Sequence, residues 1–544
     1  MKYFPDQPAD GLWAKWAVAV LPLAFLAVAL IYSAHSAPWG RQVDPESPYM
    51  MNGIAWSVGY GMIKNDHPGT TTILLSGLVT RIGALLNGQT DVVEYALKNY
   101  DALIYASRAV QVLLMAAALL AGGIIVRRAT RSTIAAAMFQ IAPLVSFNAL
   151  HLGTMLVTES MMITFAILGM ALALKAALDE KAPTVRLGVA SGTVFALGLS
   201  SKYLFAPLAI LSVALLRNWR AYAAATFVGI FLFFIFNRIL NRYVFTTGYH
   251  WLVNLATHKG IYGEGEPGFI DFGVFWPNVA AIITAAPLIF AAFAAGAGLA
   301  SLRMWRSRNY LDPVSLTLLA LFAAYGAQLV ATAKHFSLHY MLASWVLTGG
   351  VLVLAVVEAR RLWPASPPRL VTGIAAAVCV AIVATTLIDV RREALLWMVR
   401  NEIGARLSKA VISTAPACAN VSRMFVRAPE NILNFGADTT LATQQMEDRF
   451  SDAYLRAYKE PLLDHNFYRN VLLKNFHTIS YGQLAAEYPC IVVRTDRELD
   501  AKTSVGLLEL KPDHCMVEDI HVYTVGIACE KIQSVYAKTP VPDR

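Results

Sequence analysis

The sequence predicts a polytopic α-helical membrane protein of about eleven transmembrane helices that ends in an extracytoplasmic α/β domain. Three observations carry that expectation. Apolar runs of membrane-spanning length recur from Trp16 to Val390, basic clusters mark alternate connections between them, and the composition changes sharply after Val390.

Hydropathy decides the class. The chain has 544 residues, is 57% hydrophobic and only 15% charged, against about 25% charged in an average soluble protein. A hydrocarbon core of about 30 Å needs roughly 20 apolar residues as a helix. Candidate runs are Trp16–Tyr32, Ile104–Val126, Thr133–Leu150, Met155–Leu174, Leu187–Leu199, Leu204–Leu216, Ala221–Phe236, Val274–Leu302, Val314–Ala333, Met341–Val357 and Val371–Ile388, the shortest of which must extend into their polar flanks to span. Trp16–Tyr32 is longer than a typical signal-peptide core and lacks a clear cleavage site, so it reads as an anchor.

The net charge of +9 does not mark a nucleic-acid partner. Its basic residues gather at Arg127-Arg128-Arg131, Lys175 to Arg186, Arg217 to Arg220, Arg303 to Arg308 and Arg360 to Arg369, which are alternate loops. Lys and Arg enrichment in short loops marks the cytoplasmic face. The N-terminus is therefore expected inside and everything after Val390 outside, in a multi-pass protein of the cell (inner) membrane. Thr70–Leu86 is apolar enough to span, yet counting it would invert every later loop. It is expected to lie in the interface as an amphipathic helix.

Residues 1–390 then form the transmembrane domain, with a long first outer loop over 35–101, and residues 391–544 form a soluble outer domain. A second outer loop over 237–272 carries a turn-rich Gly263–Gly268 tip, and Tyr488–Arg494 reads as a strand. Four of the five cysteines, Cys418, Cys490, Cys515 and Cys529, fall in the tail, which fits two disulfides in an oxidising compartment. Proximity favours Cys515 with Cys529; Cys379 sits in a span as a packing residue.

The outer connections hold the residues able to do chemistry. Asp44 follows the first span in Asp44-Pro45-Glu46-Ser47-Pro48-Tyr49. A carboxylate there can cap the helix that Pro48 opens. Asp44 and Glu46 together can equally act as base and as cation ligand or orienting partner. Asp66-His67-Pro68-Gly69 offers an N-cap with Pro in the first turn, or, in His67, a donor to an anion at a helix N-terminus. Glu159 opens a span after His151 and needs a partner or water. Lys202 is a positive charge in an outer turn, against the topological trend, and either snorkels to headgroups or binds a lipid-linked phosphate. Lys334-His335-Phe336-Ser337-Leu338-His339-Tyr340 repeats the anomaly. Helical spacing would put His335 and His339 on one face; phosphate binding ranks above a metal pair, because no HExxH context surrounds them.

In these residues the chain resembles the GT-C glycosyltransferases, especially the protein O-mannosyltransferase and aminoarabinose-transferase group that uses polyprenyl-phosphate sugars. The resemblance runs from about Trp16 to Tyr340. Asp44 to Tyr49 looks like the family's acidic motif at the start of the first outer loop, and His67-Pro68 like its His-Pro motif. Thr158-Glu159 stands in the place of its second-loop acid, Gly198 to Pro207 resembles its Gly-Leu…Lys-Tyr segment, and Lys334 to Tyr340 matches its basic-then-Tyr segment. Two positions depart: Pro45 splits the usual adjacent Asp-Glu pair, and Glu159 replaces an Asp.

The resemblance implies a polyprenyl-phosphate sugar donor, a hydroxyl acceptor on a glycan, lipid or protein, and inversion at the anomeric carbon. It implies Asp44 as base, with Glu46 and Glu159 positioning the acceptor or a cation. His67, Lys202, Tyr203, Lys334, His335, His339 and Tyr340 would hold the phosphate end. A divalent cation stays open as cofactor, membrane lipids are expected contacts, and no nucleic acid is. Two alternatives are an O-antigen ligase or polymerase on lipid-linked glycans and a polytopic transporter. The first usually carries its large loop between late spans, and the second keeps ionisable residues near the midplane.

Overall fold

Apolar helices account for most of the chain between Leu12 and Thr414 in the computed structural model. It describes residues 3–4, 12–38, 46–62, 68–241, 245, 247–259, 265–423, 433, 436, 444–458, 461–466, 471–496, 498–499 and 506–539. Asp44, Asp66 and His67 lie outside them. Among the described residues seven helices are long and apolar enough to cross a membrane: Trp16–His35, Tyr100–Thr130, Thr158–Leu178, Trp219–Leu240, Pro287–Ser307, Pro313–Lys334 and Pro368–Thr414. An eighth span is a pair, Leu338–Trp345 and Thr348–Leu362, bent by 43°.

The remaining expected spans are shorter or broken, for local reasons. The run after Thr133 ends as an α-helix at Gln140 and passes into a 3₁₀ turn, Ala142–Leu144, around Pro143. It resumes at Phe147–Gly153, where the Ser146 hydroxyl caps Ala149 N. Proline lacks the N–H that would bond back into the preceding turn, which favours a break there. The run from Val274 divides into Phe272–Ala285 and Pro287–Ser307, with Pro287 in the first turn of the second helix. Val185–Ser201 has 17 residues, about 26 Å of α-helix. Tyr203–Leu215 is a 13-residue 3₁₀ helix, about 26 Å at its longer rise.

The chain divides into two compact units, one of Met1–Ser33, Asn65–Thr72 and Arg108–Val390, the other of Ala34–Lys64, Ile73–Ser107 and Arg391–Arg544. The division differs from a single boundary at Val390, because most of residues 35–101 group with the tail. In the first unit, Val185–Ser201 packs on Trp219–Ile235 through small residues. A Cβ on Gly188 would lie 2.1 Å from the Ala221 carbonyl oxygen, and one on Gly192 2.3 Å from that of Ala225. Backbones approach this closely only across small side chains.

In the second unit the first-loop helix Val92–Lys98 meets the tail helix Gln444–Ala457, where Arg456 donates to Asp91 at 2.6 Å and to Glu94 at 2.8 Å. Both carboxylates sit at the N-terminal end of their helix, where negative charge is favoured. Thr70–Leu86 leaves Leu78, Ile82, Leu85 and Leu86 exposed along one stripe. Such a stripe suits an interfacial helix.

The tail is a mixed seven-stranded sheet: β1 (Ala419–Arg423), β2 (Leu463–Asn466), β3 (Val471–Lys474), β4 (His477–Ile479), β5 (Ile491–Thr495), β6 (Asp513–Val517) and β7 (Ile520–Val525), in the order β4-β3-β2-β1-β5-β7-β6. β1 pairs parallel with both β2 and β5; the outer strands are antiparallel. Side chains alternate between faces. Ile491 and Val493 pack with Tyr481 and Leu484 on one side, and Val492 with Leu407, Val411 and Ile532 on the other. The helix Pro368–Thr414 supplies Leu407 and Val411 from its last turns, running on unbroken past Val390 because no proline follows Pro368 within it.

Two disulfides, Cys418–Cys490 and Cys515–Cys529, bear out the expected pairing in the tail. The first closes a sequence separation of 72 residues and ties the start of β1 to the start of β5. In the loop-entropy model a crosslink of that length restricts the unfolded chain by about 4 kcal/mol. Replacing both Cys418 and Cys490 by Ser is expected to lower tail stability by about that amount. Urea unfolding of the full chain in detergent checks it; an unchanged midpoint would contradict the assignment.

Candidate functional site

The first unit buries a charged cluster built from three helix ends. Glu159 lies in the first turn of Thr158–Leu178, where the helix dipole favours a carboxylate. It is fully buried, and Lys202 and His339 are almost so. Lys202 interrupts two helices. Its backbone is extended (φ −154°, ψ 138°) between the end of Val185–Ser201 and the 3₁₀ helix opened by Tyr203, which is half-buried. That reversal sends the ammonium onto Glu159 Oε1, a short buried ion pair. The other carboxylate oxygen accepts from the Thr158 hydroxyl at 3.1 Å.

The third contribution comes from the turn Leu338–Met341. His339 Nε2 stands 3.7 Å from Glu159 Oε1, and its Nδ1 shares a 2.6 Å hydrogen bond with the Ser337 hydroxyl. A bond at one ring nitrogen sets which nitrogen carries the proton and how the ring faces its partner. The Tyr340 ring centroid lies 5.3 Å from Lys202 Nζ, within cation–π range. A carboxylate, an ammonium and an imidazole thus share one buried site, where electrostatic interactions are screened less than at the surface.

Glycine makes the Lys202 reversal possible. A Cβ on Gly198 would come within 2.5 Å of the Phe205 ring, which closes over the helix just past the turn. Gly198→Ala is expected to displace that ring and destabilise the protein by about 1–3 kcal/mol, the usual cost of overpacking. Thermal unfolding of the variant in detergent checks this; a wild-type midpoint would contradict it.

A network of neutral groups fixes the chain beside Lys202. Gly69 N donates to the Ser201 carbonyl at 3.1 Å, and the Thr71 and Ser201 hydroxyls lie 2.7 Å apart. Thr70 Oγ1 donates to Asn237 Oδ1 at 2.7 Å, Asn237 Nδ2 to Ser200 Oγ at 2.8 Å, and Asn241 Nδ2 to the Pro68 carbonyl at 2.9 Å. Asn237 sits in a π-helical turn, Phe236–Leu240, a distortion common near functional sites. The residues after His67 are thereby pinned next to Lys202. Charge-based reading of the sequence missed these amides and hydroxyls. Two Asn four residues apart in Phe236-Asn237-Arg238-Ile239-Leu240-Asn241 were the available signal.

The other expected residues fall elsewhere. Lys334 ends its helix and donates to the Ala256 carbonyl at 2.7 Å, with the Phe269 ring centroid 4.8 Å away. His335 Nε2 lies 3.0 Å from the Leu255 carbonyl. Both residues therefore serve the C-terminal carbonyls of Thr247–Thr257, where cations and donors are favoured. The expectation of His335 and His339 on one helical face is corrected here. The helix stops at Lys334, and Ser337 is extended (φ −156°). His151 packs on Phe147 and meets the Tyr32 hydroxyl at 2.9 Å. Glu46 is fully buried in the second unit and opens Ser47–Ser57, its carbonyl accepting from Tyr49 and Met50. Among the described residues no group of three or more His, Cys, Asp or Glu gathers as a metal site.

No family model and no curated protein matches the chain. Among solved structures it is similar to ArnT from Cupriavidus metallidurans bound to undecaprenyl phosphate, at 15% identity over 93% of this chain and 98% of that one, with a TM-score of 0.43. ArnT in the apo state gives the same identity and coverage with a TM-score of 0.45. Likeness at this level carries no argument about activity.

Proposed function

We propose that this protein is a membrane glycosyltransferase of the GT-C type, moving a sugar from a polyprenyl-phosphate donor to an acceptor hydroxyl at the outer face of the cytoplasmic membrane. The observation that carries the reading is the buried Lys202–Glu159–His339 cluster with Pro68–Thr72 pinned beside it. Pro68, Glu159, Lys202 and His339-Tyr340, which come from segments resembling four of the family's motifs, lie together there although they are far apart in the chain.

Chemistry then assigns the roles. The acceptor oxygen attacks the anomeric carbon as the bond from that carbon to the phosphate oxygen breaks, and polyprenyl phosphate leaves. Phosphate is a competent leaving group at neutral pH, so the protein must supply a base for the acceptor and cations for the departing oxygen. Asp44 takes the acceptor proton. Lys202 meets the developing phosphate charge, and His339 assists it. Glu159 holds Lys202 in place until the donor arrives. The Tyr340 ring faces the ammonium, while Tyr203, His67 and Glu46 are assigned to the donor and acceptor sides by the family resemblance alone. Lys334 and His335 are reassigned to holding Thr247–Thr257 in place.

Incorporation of radiolabelled sugar from a panel of polyprenyl-phosphate sugars into membrane extracts tests the reading. Transfer from one donor supports it. No transfer from any donor, with flux of a lipid-linked glycan instead, would favour the transporter.

A further inference from the structure

The tail carries a cluster of ligating side chains that the transfer chemistry does not use. β6 and β7 form the antiparallel edge of the sheet, with His514 opposite Tyr523 and Met516 opposite His521. Alternation puts His514, Met516 and His521 on one face, while Val517 and Val522 turn into the core on the other. His514 and Met516 are exposed and His521 is half-buried. His514 Nε2 lies 3.1 Å from His521 Nδ1, and the two rings are within 5° of parallel. The His514 ring also stacks on Tyr523 at 4.5 Å, which fixes its plane.

We propose that His514, His521 and Met516 form a surface site for a copper ion. Two imidazole nitrogens that bind one ion at about 2.0–2.1 Å each stand about 2.9–3.4 Å apart for coordination angles near 90–110°. The observed 3.1 Å, held by a hydrogen bond in the metal-free pair, falls inside that range, so the two nitrogens need change their separation little to share an ion. In the metal-free pair one ring donates a hydrogen bond to the other. On binding, that ring moves its proton to its remaining nitrogen and both rings pivot until their lone pairs meet at the ion.

The donor set selects the metal. Structural zinc takes four ligands, whereas this face offers two imidazoles and one thioether. Imidazole suits copper, copper(II) tops the divalent affinity order, and thioether sulfur is a soft ligand for copper(I). Met516 stands next to His514 along the strand and opposite His521 across it, within reach of both.

The test uses the full-length protein in detergent, with any affinity tag removed and disulfides intact, titrated with copper(II) chloride. The expected result is one tight equivalent per chain, with an electron paramagnetic resonance signal split by two nitrogens. That equivalent should be lost in the His514→Gln/His521→Gln variant, whose metal-free unfolding midpoint should match wild type. Met516→Leu should keep the two-nitrogen copper(II) signal and weaken copper(I) binding measured against a chelator. A double variant that keeps the equivalent, or a wild type that takes none, would overturn the proposal. Zinc displacing stoichiometric copper would overturn the choice of metal.

Discussion

Asp44→Asn is expected to lower sugar transfer by about 10²–10⁴-fold, the usual contribution of a positioned general base. Asparagine keeps the shape of aspartate and removes its charge, so it can still accept a hydrogen bond from the acceptor but cannot take its proton. Donor binding should survive, because the proposed mechanism assigns the phosphate to cations and not to Asp44. The effect should therefore fall on turnover, with donor affinity changed by less than the rate. Measuring both on the same membrane preparation checks the split. A normal rate would remove the base assignment, and a loss confined to donor affinity would move Asp44 to the donor's side.

Lys202→Met should act on stability and activity together. Glu159 is fully buried, and taking away its cation leaves an uncompensated charge, a change that costs about 3–5 kcal/mol in buried pairs. Neutralising both partners removes the stranded charge, so Lys202→Met/Glu159→Gln should recover most of that stability. Under the proposed function transfer should not recover with it, since both variants lack the ammonium assigned to the phosphate. Stability regained without activity separates a functional cation from a structural one. If the double variant regained transfer as well, the pair would be a packing device and the phosphate would bind elsewhere.

Sequence and structure agree most closely where a single residue breaks a trend. Lys202 stood out as a cation away from the alternate loops where the other basic residues gather, and Glu159 as an acid at the start of an apolar run. That they pair with each other was not legible, because 43 residues separate them and no periodicity links two helix ends. The Lys334 to Tyr340 segment looked like one unit, yet the helix end at Lys334 sends Lys334 and His335 to the Thr247–Thr257 carbonyls and His339 to Glu159. A helix stop of this kind depends on what the neighbouring segment offers.

Pro143 and Pro287 were readable signals that hydropathy averaging smoothed over, and they turn expected spans into shorter pieces. The neutral network of Thr70, Thr71, Ser200, Ser201, Asn237 and Asn241 shows the same limit at the site. Each group is unremarkable alone, and burial against the others makes it matter. Cysteine pairing was the easiest inference, since four of the five cysteines fall in the tail and leave three connectivities.

The most direct measurement is the affinity of the detergent-solubilised protein for polyprenyl phosphate, compared among wild type, Lys202→Met and Lys202→Met/Glu159→Gln. A lost charge-assisted hydrogen bond is worth about 1.5–3 kcal/mol, so binding should weaken by about 10–100-fold in both variants while the double variant stays folded. Equal affinity in all three proteins would contradict the assignment of Lys202 as the phosphate ligand.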